Sequence, residues 1–325
     1  MYAIVAQIGT DIVQAKQFLE AGELVAIPTE TVYGLAANAL NEEAVAKIFK
    51  AKNRPSFDPL IVHVNSLERV SQFVEEIPEQ AKKLVSNYWP GPVTILLRKK
   101  AIVPDLVTSG LDSVAVRVPS HPLTLDLLAS LEFPLAAPSA NPFGYVSPTE
   151  AAHVEAQLGN QVSYILDGGT CRVGVESTIV SFLHEKPRVL RLGGLAVEDI
   201  EALIGEVEVN EHSSSTPAAP GMLKSHYSPG KSIELINGFD FTRVSDFSEL
   251  GTIVFDTMLK DIPAENQVVL SKSANLDEAA RNLFSALRLL DQKPNIKTIL
   301  TEYVPNHGLG RAINDRIKRA TANKD

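Results

Sequence analysis

The sequence predicts an α/β protein in two parts, a larger N-terminal domain and a smaller C-terminal βαβ-rich domain. Short apolar runs of strand length alternate with helix-period segments, which is the pattern of an α/β architecture. The chain has 325 residues, and single hydrophobic cores stop growing near about 250–300 residues, so two domains are expected. Between Glu206 and Ala219 the periodicity fades into Glu-Val-Glu-Val-Asn-Glu-His and then Ser213-Ser214-Ser215-Thr216-Pro217, a linker composition. These shifts place a first domain at 1–205, a linker at 206–230 and a second domain at 231–325.

Strands are expected over Ala3–Ile8, Leu24–Pro28, Leu60–Val64, Val93–Leu97, Val114–Val118, Tyr164–Leu166, Thr178–Phe182 and Val189–Leu192. Thr10 is placed to cap a helix whose Ile12, Ala15, Phe18 and Leu19 share a face before Gly22 stops it. Asn41 opens a second helix, with Glu42 and Glu43 at the positive end of its dipole. That helix should end near Ala51, so Lys52 and Arg54 emerge just past it. Ser147-Pro148-Thr149-Glu150 has capping-box spacing with Pro at the first helical position, and its open amides suit a phosphate equally well. In the second domain, strands at Ile233–Ile236, Thr252–Phe255, Val268–Leu270 and Thr298–Leu300 alternate with helical segments. One of these, Leu276–Leu290, lines Leu276, Ala279, Ala280, Leu283, Phe284, Leu287 and Leu290 along one face. There is no internal repeat and no extended low-complexity region.

Composition narrows the function classes. Hydrophobic residues make up 45% and charged residues 21%, an ordinary globular balance, and no stretch approaches the roughly 18 apolar residues of a membrane helix. The N-terminus lacks a basic region followed by an apolar run, so a cytoplasmic location is expected. The single cysteine, Cys171, cannot form an internal disulfide and reads as a small, partly buried hydrophobe. Seven histidines without ligand spacing give no zinc site. A net charge of −9 argues against a broad surface that neutralises nucleic-acid phosphates, so any cation cluster must be local.

Pro28-Thr29-Glu30-Thr31-Val32-Tyr33-Gly34-Leu35-Ala36 breaks an apolar strand pattern with a polar cluster, as a small-ligand site would. Arg117, Arg191 and His63 each interrupt an otherwise apolar strand, and a buried unpaired charge costs several kcal/mol, so it demands a partner. Any one alone fits the outer face of a half-exposed strand; three together, beside Lys52 and Arg54, favour an anionic ligand. No G-x-x-x-x-G-K-[ST] sequence is present, so triphosphate binding would need side-chain cations and backbone amides instead. Lys52 and Arg54 are two apart before Pro55, and Ser139 and Asn141 are two apart at a strand end, although a solvated surface run and an ordinary turn look the same. Thr29 and Thr31 face the same way if the strand continues that far. Glu30 and Glu176 are the candidate carboxylates, with Glu176 equally suited to fixing a neighbouring strand. Gly308-Leu309-Gly310 carries half of a dinucleotide fingerprint, but without the third glycine it reads as a helix-opening turn.

Seven ordered blocks carry a family resemblance. They are Pro28 to Ala36; Lys52-Asn53-Arg54-Pro55 with Pro59-Leu60-Ile61-Val62-His63; Trp89-Pro90-Gly91-Pro92-Val93-Thr94; Val114 to Pro119; Pro138-Ser139-Ala140-Asn141; Gly174 to Val180; and Pro220-Gly221-Met222 with His226-Tyr227-Ser228-Pro229. Spread over most of the chain, they resemble the threonylcarbamoyl-AMP synthases of YrdC type, in their long two-domain form. The resemblance implies a YrdC-like twisted mixed sheet with a concave active-site face, followed by a Rossmann-like domain. It implies a nucleotidyltransferase that makes L-threonylcarbamoyl-AMP from L-threonine, bicarbonate and ATP with Mg²⁺, releasing pyrophosphate, for threonylcarbamoyladenosine in tRNA. A tRNA threonylcarbamoyltransferase is expected downstream, with at most weak contact to tRNA itself.

By the same resemblance, Lys52 and Arg54 are the catalytic pair. ATP would be held by these two with Asp58, Ser113, Ser139, Asn141, Ser147, Arg191, His226 and Tyr227. L-Threonine would be held by Thr31, His63, Arg117, the backbone at Ala137, and Ser177, with the planar fork of Arg117 on its carboxylate. Asp58 stands where the family commonly has Asn; an acid there would repel phosphate unless it meets a metal. No protein ligand cluster for the metal is expected, and Mg²⁺ would come with the ATP phosphates. The Pro220–Pro229 segment is expected to fold over the site as a lid that protects a labile carbamate. Two readings from other classes compete: a module binding structured RNA, disfavoured by the acidic charge, and a regulatory ATP sensor that would release no pyrophosphate.

Overall fold

The computed structural model describes residues 6–210 and 226–322. The expected Pro220–Pro229 lid is therefore described only from His226 onward. The first sheet holds β1 (Gln7–Gly9), β2 (Val25–Ile27), β3 (Gly34–Asn38), β4 (Ile61–His63), β5 (Val93–Arg98), β6 (Ser113–Arg117), β7 (Leu135–Ala136), β8 (Tyr164–Leu166), β9 (Thr178–Ser181), β10 (Arg188–Arg191) and β11 (Glu208–Val209). Their order is β1-β8-β2-β3-β7-β4-β6-β5-β9-β10-β11, with parallel and antiparallel neighbours mixed. The helices of this part are α1 (Ile12–Glu20), α2 (Glu42–Lys52), α3 (Leu67–Val70), α4 (Glu79–Tyr88), α5 (Asp105–Thr108), α6 (Pro122–Ser130), α7 (Ala151–Leu158) and α8 (Val197–Ile204).

The second sheet, β12 (Ser232–Leu235), β13 (Leu250–Val254), β14 (Gln267–Val269) and β15 (Thr298–Thr301), is parallel throughout in the order β12-β15-β13-β14. Its helices α9 (Leu276–Gln292) and α10 (Leu309–Ala320) face the first part. The expected α/β class and the two sheets are what the structure has.

Three strands escaped the sequence reading. β3 is Gly-Leu-Ala-Ala-Asn, whose small residues carry no alternation, while β7 and β11 are two residues long and too short for a period. β11 lies inside the stretch with linker composition and pairs with β10.

Two helix starts also differ from expectation. Asp11, not Thr10, caps α1, its carboxylate accepting from the amides of Val13 and Gln14 at the positive helix end. The capping box at Ser147 does not form. α7 begins at Ala151, and the Ser147 hydroxyl instead donates to Glu176 Oε1 at 2.6 Å, so no phosphate-binding helix start exists at Ser147. α2 is capped by Asn41 as expected; it runs through Lys52 and stops at Asn53, whose φ of 52° is left-handed.

The two sheets share packing. Val32, Val146 and Val175 from the first part lie in one apolar cluster with Tyr227, with Phe284 and Leu287 of α9, and with Ile313 and Ile317 of α10. Each of these valines adjoins a polar residue singled out by sequence: Thr31, Ser147 and Glu176. Arg288 of α9 donates to the carbonyls of Val146 and Ser147. Gly174, at φ 79°, lies against the α9 backbone at Arg281, where a Cβ would collide. The second domain therefore backs the loops that carry the candidate site.

Candidate active site

β4 and β6 run in parallel register with Ile61 beside Ala115 and His63 beside Arg117. Residues two apart on a strand share a face, so Ile61, His63 and Arg117 look the same way. All three line one cavity of about 50 Å³. After β2 the chain bends, and the turn, not a continued strand, brings Thr29 and Thr31 together with hydroxyls 2.8 Å apart.

Nine residues singled out from sequence meet at this cavity: Thr31, His63, Arg117 and Ala137 from the threonine group, and Arg54, Ser139, Arg191, His226 and Tyr227 from the ATP group. Five of the others stand behind its wall. Lys52 Nζ donates to the carbonyl of Ser139 at 2.6 Å and to that of Asn141, so the lysine fixes the Ser139-Asn141 segment from below. Asp58 is fully buried 2.9 Å from Arg54, which also donates to the carbonyls of Asp58 and Pro59. Ser177 Oγ lies 2.7 Å from Thr94 Oγ1 and accepts from Arg191, and Ser147 is held by Glu176. Ser113 opens β6, four residues from Arg117, roughly 13 Å along the strand. It shares the face of Arg117 without reaching the cavity.

The electrostatics suit an anion. Arg54, Arg117 and Arg191 are on the wall with Lys52 behind, and Glu176 is the one carboxylate on the wall among the described residues, while Asp58 and Glu30 pair with Arg54 and Arg117 from behind it. Burial, then the neighbouring Arg54, pushes Lys52 well below its ordinary value. Burial lowers Arg191 to about 10. Burial pushes the Asp58 carboxyl up against the pull of Arg54 and Lys52. Burial would also raise Glu176, but Arg316, then Arg191 and the Ser147 hydroxyl, hold it below the usual carboxylate range. His63 falls to about 3 through burial and then Arg117, so its imidazole is neutral at pH 7, with Nδ1 3.2 Å from the Ile61 carbonyl. His226 is likewise held neutral, by burial and by Arg54, Lys52, Arg319 and Arg316; its Nδ1 has no hydrogen-bond partner among the described residues. Burial raises Tyr227 to about 12, which keeps the phenol protonated.

On the same face of the sheet, Ile61 packs in a buried apolar cluster with Leu96, Ala115, Ile179 and Leu190. Among the described residues no group of three or more His, Cys, Asp or Glu is arranged to hold a metal ion, and no helix is long and apolar enough to cross a membrane. Gly308 opens α10 as a turn, its amide donating to Glu198 Oε1 at 3.4 Å.

Sequence reasoning named Glu30 without its partner and missed Arg316 altogether. Glu30, carried only as a candidate carboxylate, forms an ion pair with Arg117 at 2.8 Å. Arg316 of α10 reaches Glu176 from the second domain at 3.0 Å. Its one available signal was its place among Ala312, Ile313, Ile317 and Ala320, the buried stripe of that helix.

Residues 17–193 match the Sua5/YciO/YrdC family, described as telomere recombination, and residues 195–322 match the threonylcarbamoyl-AMP synthase C-terminal domain. The threonylcarbamoyl-AMP synthase of Pyrococcus abyssi is 42% identical over 318 residues, covering 94% of this chain and 93% of that protein. The Bacillus subtilis threonylcarbamoyl-AMP synthase is 38% identical over 325 residues, covering 96% and 93%. The crystal structure of P. abyssi Sua5 complexed with L-threonine matches with a TM-score of 0.88 at 39% identity, over 98% of each chain.

Proposed function

The chain belongs to the Sua5-type threonylcarbamoyl-AMP synthase family and is an enzyme of that class, and on that premise we propose how its site works. It joins L-threonine, bicarbonate and ATP into L-threonylcarbamoyl-AMP, releasing water and pyrophosphate. The product supplies a tRNA threonylcarbamoyltransferase for modification of tRNA adenosine. The observation that carries this reading is the convergence of Arg54, Arg117 and Arg191 with Thr31 and Ser139 on one cavity.

Arg117, on the same face as the neutral His63, takes the threonine carboxylate with its fork. Thr31 sits beside it to recognise the side chain, as a structure of the P. abyssi relative with L-threonine supports for the amino-acid substrate. The threonine amine adds to the bicarbonate carbon; hydroxide leaves and takes the amine proton as water. The resulting N-carboxylate attacks the α-phosphorus in line, and the bond to the bridging oxygen breaks with its electron pair passing to pyrophosphate. Arg54, Arg191 and the Ser139-Asn141 segment held by Lys52 stabilise that developing charge, and the adenine is placed against the apolar face that Ile61 presents to the cavity. Mg²⁺, if carried in on the ATP phosphates, would neutralise part of their charge there. Asp58, paired with Arg54, does not fit as its ligand, so no step here runs through the metal.

A nucleotide needs far more room than about 50 Å³; small-molecule pockets start near roughly 300 Å³. The His226-Tyr227 segment, which fills one wall, withdraws to admit ATP and returns to shield the carbamate from water. Calorimetric titration of L-threonine tests the amino-acid site. Binding to the wild type that disappears in Arg117→Met is expected, and equal binding by both would refute the assignment.

A further inference from the structure

Glu176 is an awkward wall for a triphosphate site, since a bare carboxylate there would repel the substrate. We propose that Arg316 is a positioning residue that neutralises Glu176 from behind, so that helix α10 sets the charge of a cavity it does not line. The proposal deepens the ATP-binding reading above and rests on it.

The geometry fixes Arg316 on every side. Its side chain is fully buried, and Nε meets Glu176 Oε2 at 3.0 Å. Nη1 meets Asp315 Oδ2 at 2.7 Å and Nη2 donates to the Leu192 carbonyl at 2.8 Å. The guanidinium sits 4.9 Å from the centre of the Tyr227 ring, itself part of the cavity wall. Glu176 is also faced by the Ser147 hydroxyl, by Arg191 and by Lys52. Arg316 makes the shortest ion pair to it among the described residues, and a buried carboxylate that loses such a partner keeps an uncompensated charge. That charge would then face the phosphates.

The test is ATP affinity by calorimetry on the full-length protein, with Arg316→Met, Glu176→Gln and the two combined. Arg316→Met is expected to weaken ATP binding at least about tenfold, and adding Glu176→Gln to restore it to within about threefold of Glu176→Gln alone. A merely structural arginine gives no such rescue. Wild-type affinity in Arg316→Met overturns the proposal, as does a double variant as weak as Arg316→Met. If Arg316→Met does not fold, the double variant is compared with Glu176→Gln: equal affinity supports the proposal and a tenfold deficit overturns it. ATP binding without pyrophosphate formation by the wild type would refute the synthase chemistry while leaving the Arg316 result readable.

Discussion

Arg117 and Glu30 face each other at 2.8 Å with side chains 4% and 1% exposed, so the guanidinium assigned to threonine is neutralised before substrate arrives. Glu30 also accepts from the Ser120 amide, which fixes the carboxylate in place. Removing one member of such a pair costs about 3–5 kcal/mol. Arg117→Met should lose stability on that scale and lose threonine binding. Combining it with Glu30→Gln should restore most of the stability and none of the binding. Urea unfolding and threonine titration read the two effects separately, and a double variant that regains threonine would contradict the account.

Acid should weaken the fold through the cavity histidines. His63 titrates near 3 in the folded protein against 6.5 in the unfolded chain, and His226 shifts in the same direction. Between those values the unfolded chain binds protons that the folded one does not. Stability contributed by the neutral rings is therefore complete above pH 6.5 and falls as pH drops, by about 1.4 kcal/mol per pH unit for each ring. His63→Gln should flatten the decline between pH 7 and pH 5 by about 2 kcal/mol. An unchanged slope in denaturant unfolding would show that His63 does not carry it.

Gly174 ties the second domain to the active-site loop. Its φ of 79° and the approach of the Arg281 backbone leave no room for a side chain, and Val175, Glu176 and Ser177 follow directly. Gly174→Ala should cost about 2 kcal/mol or more through strain and overpacking, and should slow turnover although it touches no substrate. A folded variant with lowered melting temperature and full activity would break the proposed coupling.

Lys52 and Arg54 differ in what they hold. Lys52 organises the Ser139 and Asn141 carbonyls, while Arg54 balances Asp58. Arg54→Ala is therefore best made with Asp58→Asn, so that no buried carboxylate is stranded. Lys52→Ala and the Arg54/Asp58 pair should each lower kcat by about two to three orders of magnitude with the fold retained. A kcat within tenfold of wild type, at saturating ATP, would remove that residue from the catalytic role.

Much of the site was legible because burying charge is costly. Arg117 and Arg191 stood out inside apolar strands, and the cavity is where both point. Their contacts were not legible, since Glu30 and Ser177 reach them only through tertiary folding. Ser147 misled: its capping-box spacing is real, but the buried Glu176 carboxylate is the stronger attraction for its hydroxyl. β3 and β7 lacked the length or alternation that marks a strand. Arg316 was hidden because a cation on an amphipathic helix normally faces water, and only its neighbours Ile313 and Ile317 show that this position turns inward.

The most direct measurement is pyrophosphate release by the purified full-length protein as each substrate is withheld in turn. Release is expected only when ATP, L-threonine and bicarbonate are all present, with an adenylate of threonylcarbamoyl mass formed in step. Release from ATP without threonine, or none with all three, would contradict it.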